Sequence, residues 1–420
     1  MRSLLVSALI LSCVAVAPTA AAQDLAATIA DALANAPALA EAKAGEAAAG
    51  ARMDRARAEA NPLLRLEGTA GFGRIDNGGF FGLTAGNVNP LAVQATAEWP
   101  LFTGGRIGSA VDQARGGQKI ARLQGEQARL QVTMLAVSTY AEVLTARQLE
   151  QSYTGLVDEL REVERQAGLR FKVGEIASSE VAQARARRGE AEAGLAQAEG
   201  RRASAEAAFE RLTGKAPGGL TSLPADPLAP GSLADALDLA HANNPALKQA
   251  DQAVAVAGAG VHAVRAETLP TVGAFAEAAH VRDQFFPGYK ADSVAVGVRG
   301  RWTIFSGGRN SSQIRTANAE LDGAEARARE ARLALDGLVV DAWQARQTSQ
   351  RMVAASQLRL DAATEALRGT KLEAQVGAKP TLAVLDAERE AIGSKAALLE
   401  AEGQSLVAAW RLNVLTGFAP

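Results

Sequence analysis

The sequence predicts a mainly α-helical protein with membrane β-strands, built as a tandem repeat. Three observations predict it. The chain is duplicated along its length, each half has a proline-free tract long enough for a very long helix, and each half has strands alternating at period two.

The duplication comes first. Ala36-Pro37-Ala38-Leu39 recurs as Asn244-Pro245-Ala246-Leu247, and Pro62 recurs as Pro270, both 208 positions on. After that the offset is 203. Trp99-Pro100-Leu101-Phe102-Thr103-Gly104-Gly105-Arg106 matches Trp302-Thr303-Ile304-Phe305-Ser306-Gly307-Gly308-Arg309. Val173-Gly174 matches Val376-Gly377, and Leu212-Thr213-Gly214 matches Leu415-Thr416-Gly417. A constant register over more than a hundred residues is not chance. The halves are read as 23–216 and 232–420, joined by a Pro/Gly-rich linker at 217–231.

Each half starts with an Ala-rich helix, from Asp24 or Ser232, expected to end before Asn61-Pro62 or Leu269-Pro270. A strand pair follows, at about 63–101 and about 271–304. Leu91, Val93, Ala95, Ala97, Trp99 and Leu101 share one face, with Gln94, Thr96 and Glu98 on the other. In the second half Val294, Val296, Val298, Trp302 and Ile304 oppose Arg299, Arg301 and Thr303. Leu64, Leu66, Ala70 and Phe72 repeat the pattern more weakly. Strands of about 11 residues suit a tilted bilayer crossing. Gly/Asn-rich loops, 74–89 and 282–292, join the pairs.

After each double glycine comes the proline-free tract, to about Gly168 and about Gly369. A helix of roughly 60 residues is about 90 Å long and needs other helices to cover it. A return helix follows, from Ser178 to Leu212 and from Thr381 to Leu415, with Ser178, Ser179 or Thr381 read as its cap.

Composition narrows the function. Lys and Arg number 44 against 46 Asp and Glu, so nucleic acid is not an expected partner. One Cys and three His exclude a disulfide scaffold and a Cys-based zinc site. His241, His262 and His280 are scattered, and no nucleophile–base or paired-carboxylate arrangement stands out. The expectation is no enzyme, no cofactor and no metal. The double glycines lack the Lys-Ser/Thr of a phosphate loop and read as hinges. The charged stretch from Arg185 to Arg202 reads as a solvated helix face with i,i+4 pairs.

Residues 1–22 read as a secretory leader, with Arg2, an apolar run from Leu4 to Val16 and a cleavage site at Ala20-Ala21-Ala22. The rival is a lipobox ending at Cys13. No apolar run of about 18 residues follows, so no transmembrane helix is expected.

Four strands with one lipid-suited face cannot close a barrel alone, and lipid tolerates no open edge. Several chains must pool strands. Three copies give twelve, with the helical rods continuing the wall into the periplasm. Gln94, Glu98, Arg299 and Arg301 then face a polar lumen. Trp99, Phe102, Trp302 and Phe305 fall in the inner aromatic girdle, and Phe80, Phe81, Phe285, Phe286 and Tyr289 in an outer one.

The helix–hairpin–rod–return order, the Leu-Phe-Thr-Gly-Gly-Arg and Ile-Phe-Ser-Gly-Gly-Arg junctions and the Phe171-x-Val173-Gly174 turn resemble the TolC-type outer-membrane efflux proteins over residues 24–420. The resemblance implies a homotrimer with a 12-stranded β-barrel and a long periplasmic α-helical barrel. It implies docking on a periplasmic adaptor and, through it, on an inner-membrane pump of the RND or ABC type. It places the chain in the outer membrane as the passive exit duct of an efflux or type I secretion system. It implies adaptor contact at the tips Val173, Gly174, Val376 and Gly377, and a periplasmic gate with Asp386 and the basic tip residue Lys379. Ala383 stands at a second gate position, so one acidic ring is expected. The rival from another class is a structural coiled-coil envelope protein, which the matched strand pairs oppose.

Overall fold

The computed structural model describes residues 23–76, 78, 85–224, 227 and 230–417. The leader with Cys13, and Phe80 and Phe81, lie outside the described residues. The described elements are α1 (Leu25–Asn35), α2 (Pro37–Ala58), β1 (Leu63–Ala70), β2 (Gly73–Ile75), β3 (Gly86–Val88), β4 (Leu91–Phe102), α3 (Arg106–Lys172) and α4 (Ser178–Thr213). They continue with α5 (Leu233–Asn243), α6 (Pro245–Ala266), β5 (Thr271–Arg282), β6 (Lys290–Arg301), α7 (Arg309–Gln375) and α8 (Thr381–Leu415). Helices α3 and α7 each run 67 residues. Among the described residues no helix is long and apolar enough to cross a membrane.

The opening helix of each half is two helices rather than the expected one. Proline disfavours helical backbone in the residue before it and suits the first turn of the next helix. Ala36 is therefore extended, at φ −70° and ψ 116°, and α2 restarts at Pro37. Asn244 is extended at φ −61° and ψ 123°, and its side chain accepts from Ala246 N at 2.9 Å. Asparagines at both breaks also reach the end of a return helix. Asn35 Nδ2 donates to Leu212 O at 3.1 Å, and Asn244 Nδ2 to Leu415 O at 3.0 Å.

The chain forms two compact units, each drawing on both halves of the sequence. One comprises the described parts of Met1–Ala36, Val132–Ala229 and Ala342–Asn413. It is helical. Buried positions on α3 fall three or four apart, at Val132, Ala136, Val137, Tyr140, Ala141 and Leu144, which is one helix face. On α4 the buried alanines are seven apart, Ala184, Ala191, Ala198 and Ala205, so a seam of small side chains faces inward. Tyr140 is fully buried, and its hydroxyl lies 2.9 Å from both Thr221 O and Thr221 Oγ1. Arg147 donates to Gly218 O at 2.7 Å and to Pro217 O at 2.8 Å. The start of the linker is thus pinned to α3.

The second unit comprises Pro37–Gln131, Pro230–Asp341 and the described part of Val414–Pro420. Its sheet has the order β1-β4-β5-β6, antiparallel throughout. Two differences from expectation stand out. The loop at 74–89 holds a short ribbon of β2 and β3. Strand β6 stops at Arg301, so Trp302 and Ile304 follow the strand rather than end it.

Candidate functional site

The register builds the first feature, a two-faced sheet. Side chains alternate along a strand, and residues paired across strands share a face. Leu64, Ala97, Ala276 and Val296 form one row, and Leu66, Ala95, Ala278 and Val294 the next. This face is apolar and bare: Leu64 is 77% exposed and Val294 82%. The other face carries Arg65, Thr96 and Glu277 in one row and Glu98 and Phe275 in the next. Arg299 lies here too. It donates to Glu277 Oε1 at 2.8 Å, sits 3.6 Å from Glu98 Oε1 and stacks 4.5 Å above the Phe275 ring.

At one end of this sheet lie Trp99, Phe102, Trp302 and Phe305, all exposed. The indole of Trp99 donates to Ala60 O at 3.0 Å, and that of Trp302 to Thr268 O at 3.1 Å. Each ring is fixed by its polar atom while its apolar body stays free. Gly104 and Gly105 have φ of 62° and 91°, and Gly307 and Gly308 of 60° and 87°, the left-handed region glycine enters at least cost. These are the hinges from sheet to long helix. At the far end, Phe285 and Phe286 each meet Tyr289 edge-on, with centroids 5.2 and 5.1 Å apart.

The second feature is the turn end of the helical unit. Gly174 has φ 79° and Gly377 φ 77°. Glu175 N donates to Arg170 O at 2.9 Å and Ala378 N to Glu373 O at 2.8 Å, closing both long helices in the same way. Val173 and Val376, each beside its turn glycine, are largely exposed. The expected serine cap is absent. Ala177 holds the cap position of α4 with no side-chain hydrogen bond, and Ser178 is already helical.

Asp386 and Lys379 are engaged separately. Asp386 Oδ1 accepts from Arg187 Nη2 at 2.8 Å, and Lys379 Nζ lies 2.7 Å from Glu373 Oε2. Arg187 also donates to Glu190 at 2.8 Å, and Arg389 reaches Glu190 from α8 at 3.5 Å. The Glu190 hydrogen bond, together with Asp386, holds the Arg187 guanidinium above its ordinary pKa. A chain of alternating charges thus ties α4 to α8 at this level.

The reading of Arg185 to Arg202 as a solvated face with i,i+4 pairs holds in part: Arg188 pairs with Glu192 and Arg202 with Glu206, but the same stretch also reaches other helices. Arg185 and Arg188 reach Glu164 on α3 at 3.1 and 2.9 Å. Arg201 meets Glu142 of α3 at 2.7 Å and Glu400 of α8 at 2.9 Å, and those two carboxylates push its pKa up. The stretch forms bonds between helices because α4 lies between acidic neighbours, which spacing along one helix does not reveal.

Sequence reasoning missed Glu388. It is 2% exposed, on α8. Lys371 Nζ of α7 approaches its Oε1 at 3.1 Å, outside hydrogen-bond angles, and also pairs with Glu159 of α3. Neither Glu388 oxygen receives a hydrogen bond. Burial, then the Glu159 carboxylate, pushes its pKa up to about 7. A signal was present. Leu385, Ile392, Leu399 and Leu406 recur every seven residues, and in that phase Glu388 falls at an inward position.

Known proteins resemble this chain in sequence and in fold. The sequence profile of the outer membrane efflux protein family matches residues 28–215 and 236–418. The outer membrane efflux protein BepC of Brucella suis biovar 1 (strain 1330) is 30% identical over 284 residues, which is 67% of this chain and 62% of that relative. The match therefore spans less than two thirds of BepC's length. The fold is that of solved transmembrane channels. A CusC structure superposes with a TM-score of 0.83 at 19% identity, over 94% of this chain and 92% of that one. The outer membrane protein VceC of Vibrio cholerae gives 0.79 at 20% identity, over 94% and 96%.

Proposed function

We propose, from the premise that the chain belongs to the outer membrane efflux protein family, that it is the passive exit duct of a multi-component export system. Its place is the outer membrane. The carrying observation is the bare apolar face of a four-stranded sheet whose outermost strands, β1 and β6, each have a free edge among the described residues. An apolar face suits lipid, and unpaired edges in lipid cost several kcal/mol for each unsatisfied group. A homotrimer pairs β1 of one copy with β6 of the next and closes twelve strands. The polar face, with Arg299, Glu98 and Glu277, then lines the lumen.

Trp99, Phe102, Trp302 and Phe305 form the inner aromatic girdle in this reading, supported by exposed rings whose indole N–H groups are already satisfied. The exposed Val173-Gly174 and Val376-Gly377 turns receive a periplasmic adaptor, which links the duct to an inner-membrane pump of the RND or ABC type. The chain does no chemistry; the pump supplies the energy. Asp386 and Lys379 act at the periplasmic gate. Arg187 holds Asp386, and Glu373 holds Lys379, until adaptor docking parts the helices.

The test is the mass of the complex extracted from outer membranes, corrected for detergent. About three chain masses is the expected result. A monomer, or protein confined to the soluble periplasm, overturns the shared barrel.

A further inference from the structure

The helical unit holds one carboxyl group that the duct reading leaves without a task. Glu388 lies two residues past Asp386 on α8, turned away from the α4 contact that holds Asp386. Lys371 on α7 lies 3.1 Å from its Oε1 and also pairs with Glu159 on α3, whose carboxylate acts on Glu388. One lysine serves two carboxylates, so one negative charge is left over when both are ionised. A buried charge without hydrogen bonds is costly, and a neutral carboxyl is not.

We propose that Glu388 is a proton-responsive latch. With its proton, the neutral carboxyl donates to the Glu159 carboxylate, Lys371 neutralises Glu159, and α8 stays docked on α3 and α7. Without the proton, the excess buried charge loosens that docking. The charged groups on the neighbouring α4 do not compensate. Arg187 and Glu190 are engaged with Asp386 and Arg389, and Glu390 of α8 itself pairs with Arg359 of α7.

The direction follows from linkage. The folded chain holds the Glu388 proton more tightly than the unfolded chain does, with a pKa near 7 against an ordinary 4.5. The docking it supplies is full below about pH 4.5 and is lost as pH rises through about 7. Acid therefore tightens the helix that carries Asp386, and neutral to alkaline pH frees it. That last consequence for a pore rests on the duct reading. The latch itself does not.

Amide hydrogen exchange on the full-length protein in detergent, from pH 5.5 to 8.5 and corrected for intrinsic rate, tests it. Protection across the turns of α8 around Glu388 is expected to fall at least about tenfold over this range, with a midpoint near 7. Glu388→Gln should be protected and flat. Glu159→Gln should move the midpoint to lower pH, because the carboxylate that raises Glu388 is gone. Wild-type protection that ignores pH, or a Glu388→Gln profile identical to wild type, overturns the latch. If Glu388→Gln does not assemble, the Glu159→Gln midpoint decides, and no shift overturns it. Bilayer conductance of the same proteins separates the two claims. A wild-type chain silent at every pH breaks the duct reading and leaves the exchange result standing.

Discussion

Trp99 and Trp302 occupy corresponding places in the two halves, and each donates its indole N–H to a carbonyl shortly before its first long strand, Ala60 O or Thr268 O. The glycines beside them do not share an environment. A Cβ on Gly104 would stand 2.8 Å from Leu269 Cβ and 2.9 Å from Ala266 O, whereas one on Gly307 would meet nothing within 4 Å. The return helices diverge further. Where α8 carries Asp386 and Glu388, the first half has Gln183 and Arg185, and where Lys379 stands it has Ile176. Duplication repeated the skeleton. The candidate gate and the buried acid lie in the second copy. The first copy supplies Arg187 to Asp386, Glu190 to Arg389 and Glu159 to Lys371, whereas Lys379 and Glu388 meet Glu373 and Lys371 of the second copy itself. One copy of a duplicated element can keep the fold while the other changes charge.

The largest expected effect tests the unequal glycines. Gly104→Ala forces a left-handed alanine into contact with Leu269 and should cost about 2–4 kcal/mol in denaturant unfolding of the full chain. Gly307→Ala should cost only the backbone strain, about 1–2 kcal/mol. Equal costs would break the asymmetry as a property of one chain and would mean that another molecule packs on the Gly307 junction. Next come the candidate gate residues. Asp386→Ala should alter conductance or weaken cation preference severalfold, and an unchanged single-channel record removes Asp386 from the gate. Arg187→Ala should raise open probability, because one tie from α4 to α8 is lost while the Asp386 side chain is left in place.

A smaller effect tests the equal tryptophans. Trp99→Phe and Trp302→Phe each lose one indole hydrogen bond, about 1 kcal/mol, and the two losses should agree in unfolding measurements. The smallest is Arg165→Ala. Its i,i+3 pair with Glu162 is exposed, so the unfolding midpoint should not move measurably, and a clear loss would mean that its exposed face is covered by another molecule.

Much of the architecture was legible because it is written in local periodicity. Leu91, Val93, Ala95 and Ala97 alternate because a sheet with two unlike faces needs them to, and the register puts them on one face. The proline-free tracts foretold α3 and α7 to within a turn or two of helix. The break at Ala36 was legible too and went unread, although Pro37 marks it. The end of β6 at Arg301 was not, since Trp302 and Ile304 keep the alternation after the pairing stops.

The sequence by itself determined the element order, the two faces of the sheet and the glycine hinges. All depend on spacing along the chain, which covalent geometry turns into direction. Only the tertiary structure decided which charges meet. Arg187 finds Asp386 across 199 residues of chain, and Lys371 finds Glu159 across 212. Burial likewise turned Glu388 from an ordinary carboxylate into one that holds its proton near pH 7, because desolvation depends on what packs around a group and not on where it stands in the sequence.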